Sequence, residues 1–323
     1  MITYNHEKYI RQAINSVLMQ QGDFDLELHI VNDDSTDNTD QIITEIIESN
    51  KSNVQIHYIN NKTNKGIVEN FIFCLKQCKG DFIALCEGDD YWISNNKIEK
   101  QLKAINKNQD LVMVAHKSNV ISDYINLKST IIPNYTLHNN YILFKDILNP
   151  FKPKPCHTSS YFIRTNKLEI DKLYDCIKGD AFGDTPLIAL LSTKGNILLL
   201  DEVLSTYRIH KNGFSNQSVE ENIQVTKSFI DIFTKMSRII DVKYQIYINK
   251  AIRISNYKLA SLYSVLGNKN LSKKHFKLSL WDSIYYMFHS FKSYILLVSY
   301  CFMNEHLYKW ILGKYRILSG KSV

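Results

Sequence analysis

Two apolar spacings take turns along the first half of the chain. Leu26–Val31, Val54–Ile59 and Phe82–Cys86 read as strands, and the last of these is uninterrupted, as in a strand buried on both faces. Between them run stripes three and four residues apart. Tyr9, Ile10, Ala13, Ile14, Val17 and Leu18 form one helix face, and Ile42, Ile43, Ile46 and Ile47 form another. A third follows Gly66, through Ile67, Val68, Phe71, Ile72 and Leu75. Ile2 to Tyr4 has the pattern of a strand's carboxyl end, either a very short first strand or one that begins before Met1. Such alternation predicts an α/β fold, a mostly parallel Rossmann-like sheet with helices on both faces.

Further on the pattern loosens. A helix near Lys97–Ile105 precedes a strand at Leu111–Ala115, and Val120–Ile132 is less regular. Pro150, Pro153 and Pro155 mark a loop. His157–Ile163 reads as a strand returning to the sheet. Thr185-Pro186 reads as a helix start, since proline is favoured in the first turn. Two apolar strands follow at Ile197–Leu200 and Val203–Ile209. From Ser215 the pattern is helical to the end, which predicts one domain over 1–214 and a helical extension over 215–323.

Composition adds a charge asymmetry. The 323 residues are 45% hydrophobic and 22% charged, ordinary for a globular protein, with a net charge of +7. Residues 215–323 carry 16 Lys and Arg against 6 Asp and Glu, so the excess belongs to the extension. A basic tail points to nucleic acid or to an anionic membrane surface. No nucleic-acid motif accompanies it, which removes the first. Ile284–Met303 is broken by His289 and Lys292 and is too short in its apolar part to span a bilayer. With Trp281, Tyr285, Tyr286 and Trp310 around it, it fits an interfacial amphipathic helix or a helix packed on the first domain. The six cysteines show no metal-finger spacing and no signal peptide precedes them. The expectation is a cytoplasmic protein with reduced thiols, peripheral to the inner face of the membrane if the tail binds lipid.

The strongest chemical signal lies where Phe82–Cys86 ends. Glu87, Asp89 and Asp90 arrive within four residues at a strand's carboxyl end, where open α/β sheets bind ligands. Crowded carboxylates raise one another's pKa unless a cation sits among them, and hard oxygen ligands suit Mg²⁺ or Mn²⁺. The plainer alternative is a solvated turn whose Asp residues cap the next helix.

Several segments taken together resemble glycosyltransferase family 2. They are Thr3-Tyr4-Asn5, Ile30 through Thr39, Asn64-Lys65-Gly66 with Asn70, Lys79 through Trp92, and Tyr207-Arg208-Ile209-His210. The set covers about residues 1–214 in the family's order. The resemblance implies a GT-A fold, a nucleotide-sugar donor, a divalent metal (Mn²⁺ or Mg²⁺) and transfer with inversion, and the expected donor is UDP-linked. It also implies a glycan or lipid-linked acceptor and a setting in bacterial surface-polysaccharide synthesis.

By the same resemblance Asp33 and Asp34 reach the donor base or ribose, with helix capping as the alternative role for each. Asn5, Asn70, Glu87, Asp90 and Arg208 join the donor contacts. Asp89 holds the metal, aided by His210, and Asp184 removes the proton from the acceptor hydroxyl, with Asp180 its nearest rival. The chain departs from the pattern in two places. It has Asn-Asp-Asp-Ser at 32–35 where Asp-Asp-Gly-Ser is usual, and Glu87 replaces the first Asp of the DXD motif. Two other readings are an inactive sugar-nucleotide binding module and a sugar-1-phosphate nucleotidyltransferase. The latter needs a Gly-rich loop after the first strand, and Asn5-His6-Glu7-Lys8 contains no glycine.

Overall fold

Three parallel strands, β1 (Ile2–Thr3), β2 (Glu27–Asn32) and β3 (Gln55–Asn60), form a sheet in that order. The structure is a computed structural model that describes residues 1–123, 130–148, 154–180, 182–211, 213, 218–280 and 291–302. Helices α1 (Ile10–Leu18), α2 (Thr39–Ser49) and α3 (Ile67–Gln77) alternate with these strands as the apolar stripes predict. Ile10, Ile14 and Val17 of α1 and Ile43 and Ile46 of α2 bury against Leu28 and Ile30 of β2. Fully burying an aliphatic side chain of this size is worth about 1.5–3 kcal/mol. This shared core therefore sets the frame on which the first two strand-end loops stand.

The second sheet contains β4 (Phe82–Ala84), β5 (Tyr91–Trp92), β6 (Leu111–Ser122), β7 (Thr130–Ile132), β8 (Tyr141–Ile142), β9 (Phe162–Arg164) and β10 (Asn196–Ile209). Its order is β4-β9-β6-β10-β5, with β7 on β6 and β8 on β10. Helices α4 (Lys97–Asn106), α5 (Phe144–Ile147), α6 (Ile170–Ile177) and α7 (Asp184–Ser192) connect these strands. Most paired residues lie in parallel ladders, β1–β2–β3 and the long β6–β10 pair, while the short strands pair antiparallel. The two sheets meet where the Gly88 N–H donates to the Ile2 carbonyl at 3.0 Å.

Three elements differ from the sequence pattern, each for a local reason. The strand expected over His157–Ile163 begins only at Phe162. Its polar half forms a 3₁₀ turn in which Ser160 Oγ donates to the His157 carbonyl at 2.6 Å, the local bonding that draws Ser and Thr out of ladders. The two strands expected on either side of Asp201-Glu202 are one, β10. The ladder shifts register at Val203 rather than breaking, and the two acidic side chains at the shift pair outward, Asp201 with Lys117 and Glu202 with Lys100. The strand that leads to the acidic loop stops at Ala84, although the Leu85 N–H still reaches the Tyr161 carbonyl at 3.2 Å. The loop containing Pro150 and Pro153 lies outside the described residues.

One buried cation is unusual. Lys97, at the start of α4, is 0% exposed. Its Nζ donates to Gln101 Oε1 at 2.7 Å and sits 4.0 Å from the centroid of the Trp92 ring. Burial pushes its pKa down to about 7 from the usual 10.5, partly offset by the Cys86 thiol. The unfolded chain therefore binds more protons than the native one between these values, and stability must rise with pH through that window. Urea unfolding between pH 7 and 10 should show this rise. Lys97→Met should flatten it by an amount on the order of 4 kcal/mol over the full window. An identical pH slope in the two proteins would mean that Lys97 is not held in the low-dielectric site.

The chain divides into two compact units, Met1–Asn216 and Gln217–Val323. In the second, α8 (Val219–Ser237) opens with a capping box. Ser218 Oγ accepts from the Glu221 N–H at 3.2 Å, and Glu221 accepts from the Ser218 N–H at 2.7 Å. Helices α9 (Gln245–Val265), α10 (Lys269–Ser279) and α11 (Phe291–Phe302) follow. Ile254, Tyr257, Ala260, Phe276, Leu297 and Cys301 form their core. Among the described residues no helix is long and apolar enough to cross a membrane. Trp281, Tyr285, Tyr286 and Trp310, on which the amphipathic reading of the tail rests, lie outside the described residues.

Candidate active site

The loops after β1 and β2 are zipped together by the second motif. Asn5 and Asp34 adopt left-handed backbone, with φ of 55° and 61°, a conformation that Asn and Asp tolerate better than most residues. The Asn5 N–H donates to Ser35 Oγ at 2.9 Å, and Asn5 Oδ1 accepts from the Thr36 N–H at 2.8 Å. The His6 N–H donates to Thr39 Oγ1 at 2.9 Å and the Glu7 N–H to Asp37 Oδ2 at 3.0 Å. Ser35, Thr36, Asp37 and Thr39 thus hold the first loop in place and aim His6 inward. Asp34 itself is exposed.

Asp33 is buried and anchors a polar clamp. Its carboxylate accepts from Asn61 Nδ2, the Lys65 N–H and the Gly66 N–H, each at 2.9 Å. Asn70 Oδ1 accepts from the same Asn61 amide at 3.0 Å, and Asn70 Nδ2 donates to the Val31 carbonyl at 3.2 Å. Gly66, at φ 85°, turns the chain into α3 with a backbone that a side chain would strain. The segment Asn64-Lys65-Gly66 with Asn70 is therefore explained by its bonds to Asp33 and β2.

The acidic loop sends its carboxylates in two directions. On one side Asp89 Oδ2 lies 3.1 Å from His210 Nε2 and 3.9 Å from His6 Nε2. The three ligand atoms fall within 4.8 Å of one another. Burial alone would raise the Asp89 pKa, but the hydrogen bond from His210 and the two imidazoles hold it below the usual value. Gly88 is required by close approach, since a Cβ there would meet Thr3 Oγ1 at 2.7 Å and His6 Nδ1 at 2.8 Å. His6 is a site residue the sequence reading missed. Its signal was available: it directly follows Asn5, at a strand's carboxyl end.

On the other side Glu87 and Asp90 converge on His157. Asp90 is 1% exposed, and its Oδ1 accepts from the Arg208 N–H at 2.9 Å. Its Oδ2 has no hydrogen-bond partner among the described residues and lies 3.4 Å from His157 Nδ1. Burial, followed by the charge of Asp89, pushes Glu87 up to about 8 and raises Asp90 as well. His157, stacked on Tyr207 at 4.0 Å, is driven down to about 3 by burial and by Lys154, so it is neutral.

Asp184 is the first residue of α7, where the helix dipole favours a carboxylate. It pairs with Lys154 and accepts from the Thr185 N–H. Burial opposes its charge, but Lys154 overrides burial and keeps the pKa below the usual range. Glu87 and His157 both feel the Asp184 charge, as they feel that of Asp89. Asp180 lies in the turn after α6. Lys154 was not singled out from the sequence, where it is one lysine in a proline-rich loop.

Arg208, on β10, and His210, just past its end, are two residues apart, and both turn toward Asp89. Arg208 is well engaged by the protein itself. Its guanidinium donates to Gln12 Oε1 at 2.8 Å and Asp123 Oδ1 at 3.2 Å, and its Nε donates to the Asp89 carbonyl at 3.2 Å. It also lies 4.8 Å from the Tyr9 ring, which itself packs 4.8 Å from the His210 ring. The arrangement backs the acidic loop from behind.

Comparison with known proteins gives the family and the fold. The sequence pattern of Glycosyl transferase family 2 matches residues 1–172. An uncharacterized protein of Mycobacterium tuberculosis is 31% identical over 215 residues, covering 66% of this chain and 58% of its own. The chain thus spans somewhat over half the length of that relative. The Escherichia coli UDP-Glc:alpha-D-GlcNAc-diphosphoundecaprenol beta-1,3-glucosyltransferase WfgD is 30% identical over 174 residues, covering 50% of this chain and 66% of its own. Among solved structures, residues 1–349 of Staphylococcus aureus TarS, in complex with UDP-GlcNAc, superpose with a TM-score of 0.61 at 15% identity. That likeness covers 98% of this chain and 90% of TarS 1–349, and it concerns the GT-A fold. Since the family pattern matches more than half of the 323 residues, the chain belongs to glycosyltransferase family 2.

Proposed function

We propose that the protein transfers a sugar from a UDP-linked donor to a lipid-linked glycan, with inversion at the anomeric carbon and with help from a divalent cation. The observation that carries this reading is the acidic loop, where Asp89, His6 and His210 converge, together with Asp184, ion-paired with Lys154 at the start of α7. Two imidazoles and a carboxylate form a mixed donor set, which suits Mn²⁺ better than Mg²⁺. Asp89, His210 and His6 would hold that cation, and it would supply positive charge for the departing diphosphate. Asp33, Asn5, Asp34 and Asn70 form the donor side, where the Asp33 clamp fixes the loop the base must pass. Glu87 and Asp90 line the sugar, and Arg208 keeps the loop in position. Asp184, ionised and 16% exposed, accepts the acceptor hydroxyl's proton as that oxygen attacks. The same reading puts the enzyme at the inner face of the membrane, where the basic excess of residues 215–323 meets anionic lipid. Its support is the E. coli relative, whose name specifies a UDP-glucose donor and a diphosphoundecaprenol acceptor.

Thermal unfolding with a panel of nucleotide sugars, each with Mn²⁺ and with chelator, tests the donor. A ligand present at 100 times its Kd stabilises the native state by about 2.7 kcal/mol, so the right nucleotide should stand out. UDP-sugars should protect only with the metal. Protection by another nucleotide alone would overturn the UDP assignment, and none by any would overturn the donor site.

A further inference from the structure

The other end of β2 carries a second group of ligand-type side chains. Glu27 and His29 are two residues apart and therefore on one face of the strand. Parallel pairing puts His57 of β3 directly beside His29. The two imidazoles stack with centroids 4.6 Å apart and planes 13° from parallel. Glu27 Oε2 is 3.1 Å from His29 Nε2 and 4.0 Å from His57 Nε2. All three ligand atoms lie within 4.8 Å of one another. His57 Nε2 is shielded from solvent and has no hydrogen-bond partner among the described residues. An orphaned imidazole nitrogen beside a carboxylate and a second imidazole is an unsatisfied arrangement that a cation would complete.

We propose that Glu27, His29 and His57 form a site for a divalent transition cation, with Zn²⁺ the best match, separate from the donor site. Zn²⁺ takes imidazole nitrogen and carboxylate oxygen at about 2.0–2.2 Å, which puts tetrahedral donors about 3.4 Å apart. The Glu27–His29 separation is already that short, the Glu27–His57 one must close from 4.0 Å, and the half-exposed His57 ring must turn out of its stack on His29 so that both in-plane lone pairs face one ion. Glu27 and His57 are 50% and 39% exposed, so the fourth position is open to water and the ion has a way in. Two imidazoles in three ligands disfavour Mg²⁺, which prefers oxygen. Six residues of extended chain separate Glu27 from Asp33, or about 20 Å. The site is thus remote from the donor clamp. Its effect is structural: β3 is the edge of its sheet, and an ion shared with β2 fixes the register that brings Asn61 to Asp33.

Equilibrium dialysis of the full-length, metal-stripped chain against Zn²⁺ tests this. Glu27→Gln keeps shape at a half-exposed position, and His57→Gln removes the orphaned nitrogen. Losing even an outer-shell partner weakens metal sites by about 10–100-fold, so each variant should lose one equivalent of Zn²⁺ with affinity down at least about 100-fold. The loss should be the same in an Asp89→Asn background, which separates this site from the one at the acidic loop. Co²⁺ bound to the Asp89→Asn chain should show tetrahedral visible absorption that disappears with Glu27→Gln. Unchanged Zn²⁺ stoichiometry in both Glu27→Gln and His57→Gln would overturn the proposal. So would an Asp89→Asn chain that binds no Zn²⁺ at all.

Discussion

Asp184→Asn is expected to lower sugar transfer by about 10²–10⁴-fold, equivalent to roughly 3–5 kcal/mol of transition-state stabilisation. Asparagine keeps the shape and hydrogen-bonding reach of aspartate but cannot take up the acceptor's proton. Donor affinity should barely change, because Asp33, Asp89 and the two histidines are untouched. Helix capping predicts the reverse pattern. Asn caps nearly as well as Asp, so a purely capping Asp184 would leave turnover near normal with stability altered by at most about 1 kcal/mol. Transfer rate, donor affinity and melting temperature on this one variant separate the two roles. Near-normal transfer would move the base to Asp180 or another carboxylate.

Asp89→Asn should abolish metal-dependent donor binding while the protein stays folded. His6 Nε2 and His210 Nε2 approach the same oxygen, Asp89 Oδ2, so loss of its charge leaves two imidazoles without an anionic ligand. The backbone of the loop is held independently, by the Gly88 N–H on the Ile2 carbonyl and by the Arg208 Nε on the Asp89 carbonyl. Calorimetric titration of UDP with Mn²⁺ and with chelator reads the effect. Equal affinity in wild type and variant under both conditions would remove Asp89 from the metal role.

Much of this was legible in the sequence because it depends on local order. Alternating periodicities gave β1 to α3 to within a residue or two, since the faces of Leu28, Ile30, Ile43 and Ile46 are set by helix and strand repeats alone. The acidic loop was legible because a buried strand must end where its polar residues begin. What escaped needed distance in sequence. His6 meets Asp89 across more than eighty residues, and Lys154 meets Asp184 across thirty, and neither spacing leaves a periodic trace. The engagement of Asp33 with the Gly66 turn was equally hidden, although both segments carried the family resemblance. Asp201-Glu202 looked like a break between two strands because its partners, Lys117 and Lys100, come from other elements.

The central claim is that the acidic loop of this chain turns over a nucleotide sugar. Release of UDP from UDP-sugars by the intact protein, followed with Mn²⁺ and with chelator, tests it most directly. The account predicts metal-dependent UDP release that rises with a suitable acceptor and is lost in Asp89→Asn. Tight, metal-dependent binding of the UDP-sugar without any release, across acceptors, would contradict it and make the protein a sugar-nucleotide binding module.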